Sequence, residues 1–282
     1  MRRRTLIFFT VFANFSVIET SAAFGAPQQL PEISKLSYAD VADSVSVAPI
    51  VAIATITKAK RLKGDLAVGV RDDRARFLVT AKLSALLKGS AGLPERIEYL
   101  LDAPLDENSR PPKIGKRKVV LAGSAVPGKP ASIQLISSHA QLDWSEAVEA
   151  RTRAIVTESV APNAPPRILG VGNAFHVRGS LPDESETQIF LKTVGDQPVS
   201  LNVLRRPGEE IRWAVALGEM IDDSATAPRP DSLLWYRLAC FLPPVLPVAS
   251  VANLNVEDAA AANADYRFVI NALGPCRRTP RP

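Results

Sequence analysis

Histidine and cysteine are nearly missing. The 282 residues hold two of each: His139 and His176, Cys240 and Cys276. Any imidazole chemistry must therefore run through one of two rings. The G-x-S-x-G elbow that exposes a serine nucleophile on a sharp strand-to-helix turn is absent. So is the D-x-D-x-D-G pattern of an oxygen-lined calcium loop. Gly170-Val171-Gly172 lacks the third glycine and the following helix of a phosphate-cradling loop, and a tight turn accounts for it. Aromatic residues make up only 6% of the chain, which leaves few rings for stacking nucleic-acid bases. Beyond Ala23 no charge-free apolar run approaches the ~20 residues that a membrane-spanning helix needs. Neither an internal repeat nor a low-complexity tract occurs.

The N-terminus has what the rest lacks. Arg2-Arg3-Arg4 precedes an apolar run from Leu6 to Ile18, and small residues follow at Ser21-Ala22-Ala23. That order predicts a secretory signal peptide over residues 1–23, with cleavage after Ala23. An uncleaved membrane anchor is the alternative. No cysteine sits near the cleavage site to carry a lipid. Removing Arg2, Arg3, Arg4 and Glu19 from a net charge of +5 leaves about +3, a mildly basic exported chain, periplasmic or secreted.

Export gives the cysteine pair its meaning. In an oxidising compartment Cys240 and Cys276 read as one structural disulfide, and two paired cysteines with two histidines are too few for a zinc site of sulfur and nitrogen ligands. No metal and no cofactor is expected. Basic residues gather from Arg110 to Lys118 and in a tail over 277–282. They read either as contacts to an anionic envelope component or as a solvated loop and a loose terminus.

Loose helical spacing from Ser34 to Val45 predicts a short helix. Pro49 to Ala59 is rich in β-branched residues and apolar on both faces at its start, as in a central strand. Arg74 to Leu83 alternates Ala75, Phe77, Val79 and Ala81 against Arg74, Arg76, Leu78, Thr80 and Lys82. Further strands are predicted at Arg96–Leu101, Arg117–Gly123 and Ser132–Ser137. Short strands separated by Gly, Pro and Asp clusters argue for a small antiparallel barrel or sandwich.

The segments SVAPIVAIATITKAKRL, ARFLVTAKLSALLKGSAGLPERIEYLLDAP and PPKIGKRKVVLAGSAV resemble the netrin-like, or tissue-inhibitor-of-metalloprotease-like, OB-type barrel of secreted proteins. Ile50–Lys58, Phe77–Gly89 with its Leu-Lys-Gly ending, and Gly115–Ala122 carry the likeness, which covers the first half only. It implies an OB-like barrel over 34–160. Members that inhibit metalloproteases meet the protease zinc through an N-terminal cysteine, and this half of the chain has none, so the resemblance implies a fold without that activity.

An amphipathic helix is predicted over Ser145–Val160, capped by Ser145 or Asp143. The prolines of residues 161–167 then form a linker, and 168–276 read as a second, α+β domain. Its strands fall at Gln188–Thr193, Val199–Leu204 and Ile211–Leu217, a β-meander of three strands, with Asn173–Arg178 as an entry strand. Two helices follow, one from Ser232 to Leu242 capped by Asp231 and one from Glu257 to Leu273 stopped by Gly274-Pro275, and the disulfide would link their ends. The whole is of the α+β class.

The stretch from Gly170 to Thr187 is the one place where catalytic residue types crowd together. His176 could act as a base with Ser180 or Ser185, oriented by Asp183, Glu184 or Glu186. Paired carboxylates could also come from Glu219 and Asp222. The structural alternative follows from Phe175 and Val177 alternating around His176. They place it on a strand, with the ring on a backbone carbonyl or on Glu186, and Leu181–Thr187 as a turn. Trp213, Trp235 and Tyr236 could line a groove, but beside Leu and Ala they read as core. Composition and motifs together favour a non-catalytic binding protein of the cell envelope. It would take an unknown protein or anionic partner, not nucleic acid, through the barrel's open face or through His176, Arg178, Asp183 and Glu186. A hydrolase built on His176 with Ser185 or Asp183, and a purely structural envelope protein, are the alternatives.

Overall fold

In the computed structural model, residues 36–90, 92–218 and 225–279 are described. The leader over 1–23, Glu219, Asp222 and the last three residues of the tail lie outside them.

The fold is mixed α+β. A closed five-stranded barrel is built from β1 (Ile50–Arg61), β2 (Arg74–Lys88), β3 (Arg96–Pro104), β4 (Lys118–Val126) and β5 (Lys129–Leu135). Its order is β1-β2-β3-β5-β4, and β4 returns to β1 with Ile50 opposite Gly123 and Thr55 opposite Lys118. A short β6 (Gln141–Asp143), not among the strands expected from the sequence, pairs with the same edge of β4 as β5 does.

The apolar start of β1 now has a cause on each face. Ile50, Ala54 and Ile56 point into the barrel with Phe77, Val79 and Tyr99. Val51 and Ile53 point outward into a second apolar cluster beneath α1 (Tyr38–Val45) and α2 (Glu146–Val160). β4 divides the same way, with Val119 and Leu121 inside and Val120 and Ala122 outside. β2 runs to Lys88, well past the Leu83 at which its alternation fades. Register shifts against β1 at Val51/Ala52 and Ile53/Ala54 bend it around the barrel corner, as bulges do.

Gly123 is where closure requires glycine. A Cβ there would run into Ile133 Cγ2 and lie 2.7 Å from the Gln134 carbonyl oxygen, so no other residue fits without moving β5.

The second sheet is antiparallel in consecutive order: β7 (Ile168–Arg178), β8 (Ser185–Thr193), β9 (Ser200–Arg205) and β10 (Arg212–Ala216). Ala174, Ile189, Leu201 and Val215 form its buried face and join the cluster beneath α1 and α2. α3 (Leu233–Ala239) and α4 (Val256–Leu273) complete it. Ser232, not Asp231, caps α3: its hydroxyl accepts from the Trp235 amide, while Asp231 takes a left-handed φ of 55° one position too early. Gly274, at φ 70°, ends α4 as its position in the sequence suggests.

The disulfide joins Cys240, at the end of α3, to Cys276, just past α4. Trp235 and Tyr236 are core residues, and the Trp235 Nε1–H donates to the Leu273 carbonyl at 2.8 Å. The start of the basic tail is not loose. Arg278 clasps Asp43 at 2.7 Å, and Thr279 donates backbone and hydroxyl hydrogens to Asp40, both acids lying on α1. Among the described residues no helix is long and apolar enough to cross a membrane.

Candidate functional site

Two regions compete for the site. The first surrounds His176, which β7–β8 pairing sets opposite Thr187. His176 Nδ1 lies 2.8 Å from Thr187 Oγ1, and the Thr187 hydroxyl donates to Asp265 Oδ2 at 2.5 Å. A hydroxyl has one hydrogen, so with that hydrogen on Asp265 the threonine oxygen accepts from His176, and the ring carries its proton on Nδ1. Arg205 holds the other carboxylate oxygen of Asp265 through Nε at 2.8 Å and through a terminal nitrogen at 2.5 Å. Four side chains from β7, β8, β9 and α4 thus form one polar chain. Thr187 and Asp265 have exposures of 0% and 1%, so neither hydroxyl nor carboxylate can meet a substrate.

The other sequence candidates are placed elsewhere. His176 bonds to Thr187 rather than to Ser180, Asp183, Ser185 or Glu186. Strand alternation explains Glu186: one residue from Thr187, it projects to the opposite face of the sheet. Asp183 takes a left-handed φ of 65° in the turn, which the Gly179 N–H closes on the Glu184 carbonyl at 2.8 Å. Ser185 lies opposite Arg178 and Arg205. Arg178 reaches Glu257 at 2.7 Å and Asp258 at 3.4 Å in the first turn of α4, and its hydrogen bond to Glu257 holds the guanidinium above its ordinary pKa. Of these residues the structure brings together His176 with Thr187, and Arg178 with two acids absent from the candidate set. Asp265 did leave a trace in the sequence. It sits three residues after Ala262 and one before Tyr266, a carboxylate inside the apolar stripe of a helix.

The second region lies on the outer side of the barrel. A groove of about 810 Å³ runs along β2, β3 and β5, and none of the candidates from the His176 stretch lines it. Antiparallel pairing of β2 and β3 builds its floor in rungs, Arg76 opposite Asp102 and Leu78 opposite Leu100, and ends it at Glu98, which Thr80 pairs from behind. The first rung is a two-pronged ion pair, with both contacts at 2.7 Å. Hydrogen bonding to Asp102 raises the Arg76 pKa further. Leu78 and Leu100 form an apolar rung between polar ones, and Leu100 is 51% exposed. Thr80 donates to Glu98 at 3.3 Å. Ser132, Gln134, Ser138 and Lys129 form the far wall. Tyr99, also at the lining, turns its ring inward at 2% exposure and donates its hydroxyl to Gln141 at 2.7 Å. The sequence signal for this groove was Leu78, an apolar residue on the polar face of an alternating strand.

Among the described residues no group of three or more His, Cys, Asp and Glu is placed to hold a metal ion. Compared with models of known families and with curated proteins, the chain matches none.

Proposed function

We propose that this is an exported, non-catalytic binding protein of the cell envelope and that the groove along β2, β3 and β5 is its ligand site. The observation that carries the reading is the Leu78–Leu100 rung, solvent-exposed apolar surface in a groove of drug-pocket size with polar groups on both sides. Such a floor has no role in the barrel core, which β2 and β3 already fill from their other faces.

The strand order supports describing the barrel as OB-like, in keeping with the netrin-like resemblance of this half. In OB-folds the face of strands 2 and 3, with the 1–2 and 4–5 loops, takes the ligand. Here the same face carries the groove. The 1–2 loop reaches it where Arg76 donates to the Val68 carbonyl at 3.3 Å, and Val126 and Lys129 of the 4–5 hairpin line it. In this reading residues 34–160 hold the ligand. Residues 168–276, a meander with two linked helices, form a second domain beyond the linker at 161–167.

The mature protein, labelled for NMR and titrated with fractionated envelope extract, tests this. Resonance changes should concentrate on Leu78, Glu98, Leu100 and Ser132. Changes concentrated instead around His176 and Arg178 would move the site to the second sheet, and hydrolysis of an extract component lost on His176→Ala would replace binding by catalysis.

A further inference from the structure

The barrel's hydrogen-bonded wall is thinnest where β3 meets β5. These strands run parallel and share a single bridge, Glu98 opposite Ser132, while β2 and β3 pair continuously from Arg74↔Pro104 to Lys82↔Arg96. The register tells which backbone groups face the thin side. The Leu105 amide donates to the Asp73 carbonyl at 2.8 Å and the Leu83 amide to the Glu95 carbonyl at 2.7 Å. Odd-numbered residues of β3 therefore turn their amides and carbonyls to β2, and even-numbered residues turn theirs toward β5. Past Glu98 these are Leu100 and Asp102. Among the described residues no strand pairs with that edge of β3 beyond Glu98. The Asp102 carbonyl takes an Arg74 nitrogen at 3.1 Å instead. The groove lies along this half-open seam, with Leu100 on one wall and Gln134 and Ser138 on the other.

We propose that the seam takes an extended peptide segment of a partner protein, added as a strand to the edge of β3 past Glu98, at Leu100 and Asp102. The inference rests on the groove being the ligand site and names the ligand's class.

Charge and lining single out that class. The lining's charged groups, Arg76 and Lys129 against Glu98 and Asp102, sum to zero, which offers nothing to a polyanion such as nucleic acid. With Tyr99 turned inward, no lining ring is free to stack on a base or a sugar. A peptide strand fits both. Its backbone pairs with the β3 edge and one apolar side chain rests on Leu78 and Leu100. A basic side chain meets Glu98, and an acidic one meets Lys129. From Leu100 to Asp102 the unpaired edge is roughly 7 Å long, enough for about three peptide residues.

The test presents the mature protein with a randomised phage-displayed peptide library and measures binding and amide exchange with the selected synthetic peptides. The inference requires that peptides be selected and that bound peptide slow exchange at Leu100 and Asp102 at least about ten-fold. N-methylation of the peptide's strand-facing amides should abolish binding. Leu100→Lys, at a half-exposed position that leaves folding intact by circular dichroism, should weaken it at least about ten-fold. Peptides that bind without protecting Leu100 and Asp102 overturn strand addition. If a glycan oligomer or an oligonucleotide shifts the groove resonances while no peptide does, the peptide class falls and the groove stands. If neither these probes nor any envelope fraction perturbs the groove, both readings fall.

Discussion

Thr187 and Asp265 are 78 residues apart in the chain and 2.5 Å apart in space, hydroxyl to carboxylate, in the interior between the second sheet and α4. The bond explains why a threonine and an aspartate can both be buried. Thr187 gives its hydrogen to Asp265, accepts one from His176, and leaves the charge of Asp265 to Arg205. It also ties His176 through its Nδ1 into the polar chain of Thr187, Asp265 and Arg205.

Thr187→Val removes the middle of that chain while keeping its volume. Asp265 would lose one hydrogen bond in a buried place, so unfolding should become easier by about 1–3 kcal/mol. Urea denaturation checks it. A midpoint unchanged from the parent would show that the network carries no stability.

Asp40 predicts an acid-sensitive anchor for the tail. Burial, the largest single influence, pushes its pKa up, but hydrogen bonds from Thr279 and Ser37 together outweigh it and hold the carboxyl below its ordinary value. A depressed folded-state pKa means a contribution present above the unfolded value of about 3.9 and lost as pH falls through the lower folded value. The stability difference between the parent and Asp40→Asn should therefore shrink as pH drops from about 6 to about 2. A difference that grew on acidification would refute the assignment.

The disulfide closes a loop with a sequence separation of 36. On the chain-entropy model, replacing both cysteines by serine should cost roughly 3 to 4 kcal/mol. Because α3 and α4 also meet through the bond between Trp235 and Leu273, the double variant should still fold, with a lower melting temperature. Thiol labelling of the unreduced parent should find no reactive sulfur.

Gly123→Ala tests closure of the barrel. The added methyl would meet Ile133 and the Gln134 carbonyl, so β5 must move, at a cost of about 1–3 kcal/mol. Amide exchange should quicken in β5 more than in β9, which belongs to the other sheet. Equal quickening in both sheets would mean that the strain is not local.

Much of the architecture was written in local patterns. Alternation along Arg74–Leu83 marked a strand because the side-chain period of a strand is two. The double-sided apolar run at Ile50 marked a strand covered on both faces. Ser145, Gly274 and the lone cysteine pair marked a helix start, a helix stop and a bridge, each through chemistry confined to a few neighbouring residues.

Tertiary structure alone decided what depends on convergence. The return of β4 to β1 turned a row of strands into a closed barrel. Among the described residues a single bridge at Glu98 joins β3 to β5, and cross-strand register lined up Arg76–Asp102 and Leu78–Leu100 as the floor of a groove. Asp265 reached Thr187 only through the packing of α4 on the sheet. A sequence records which residues are apolar, charged or conformationally free, and that fixes local periodicity. Which side chains meet depends on register and closure, and those are set by the burial of the whole chain at once.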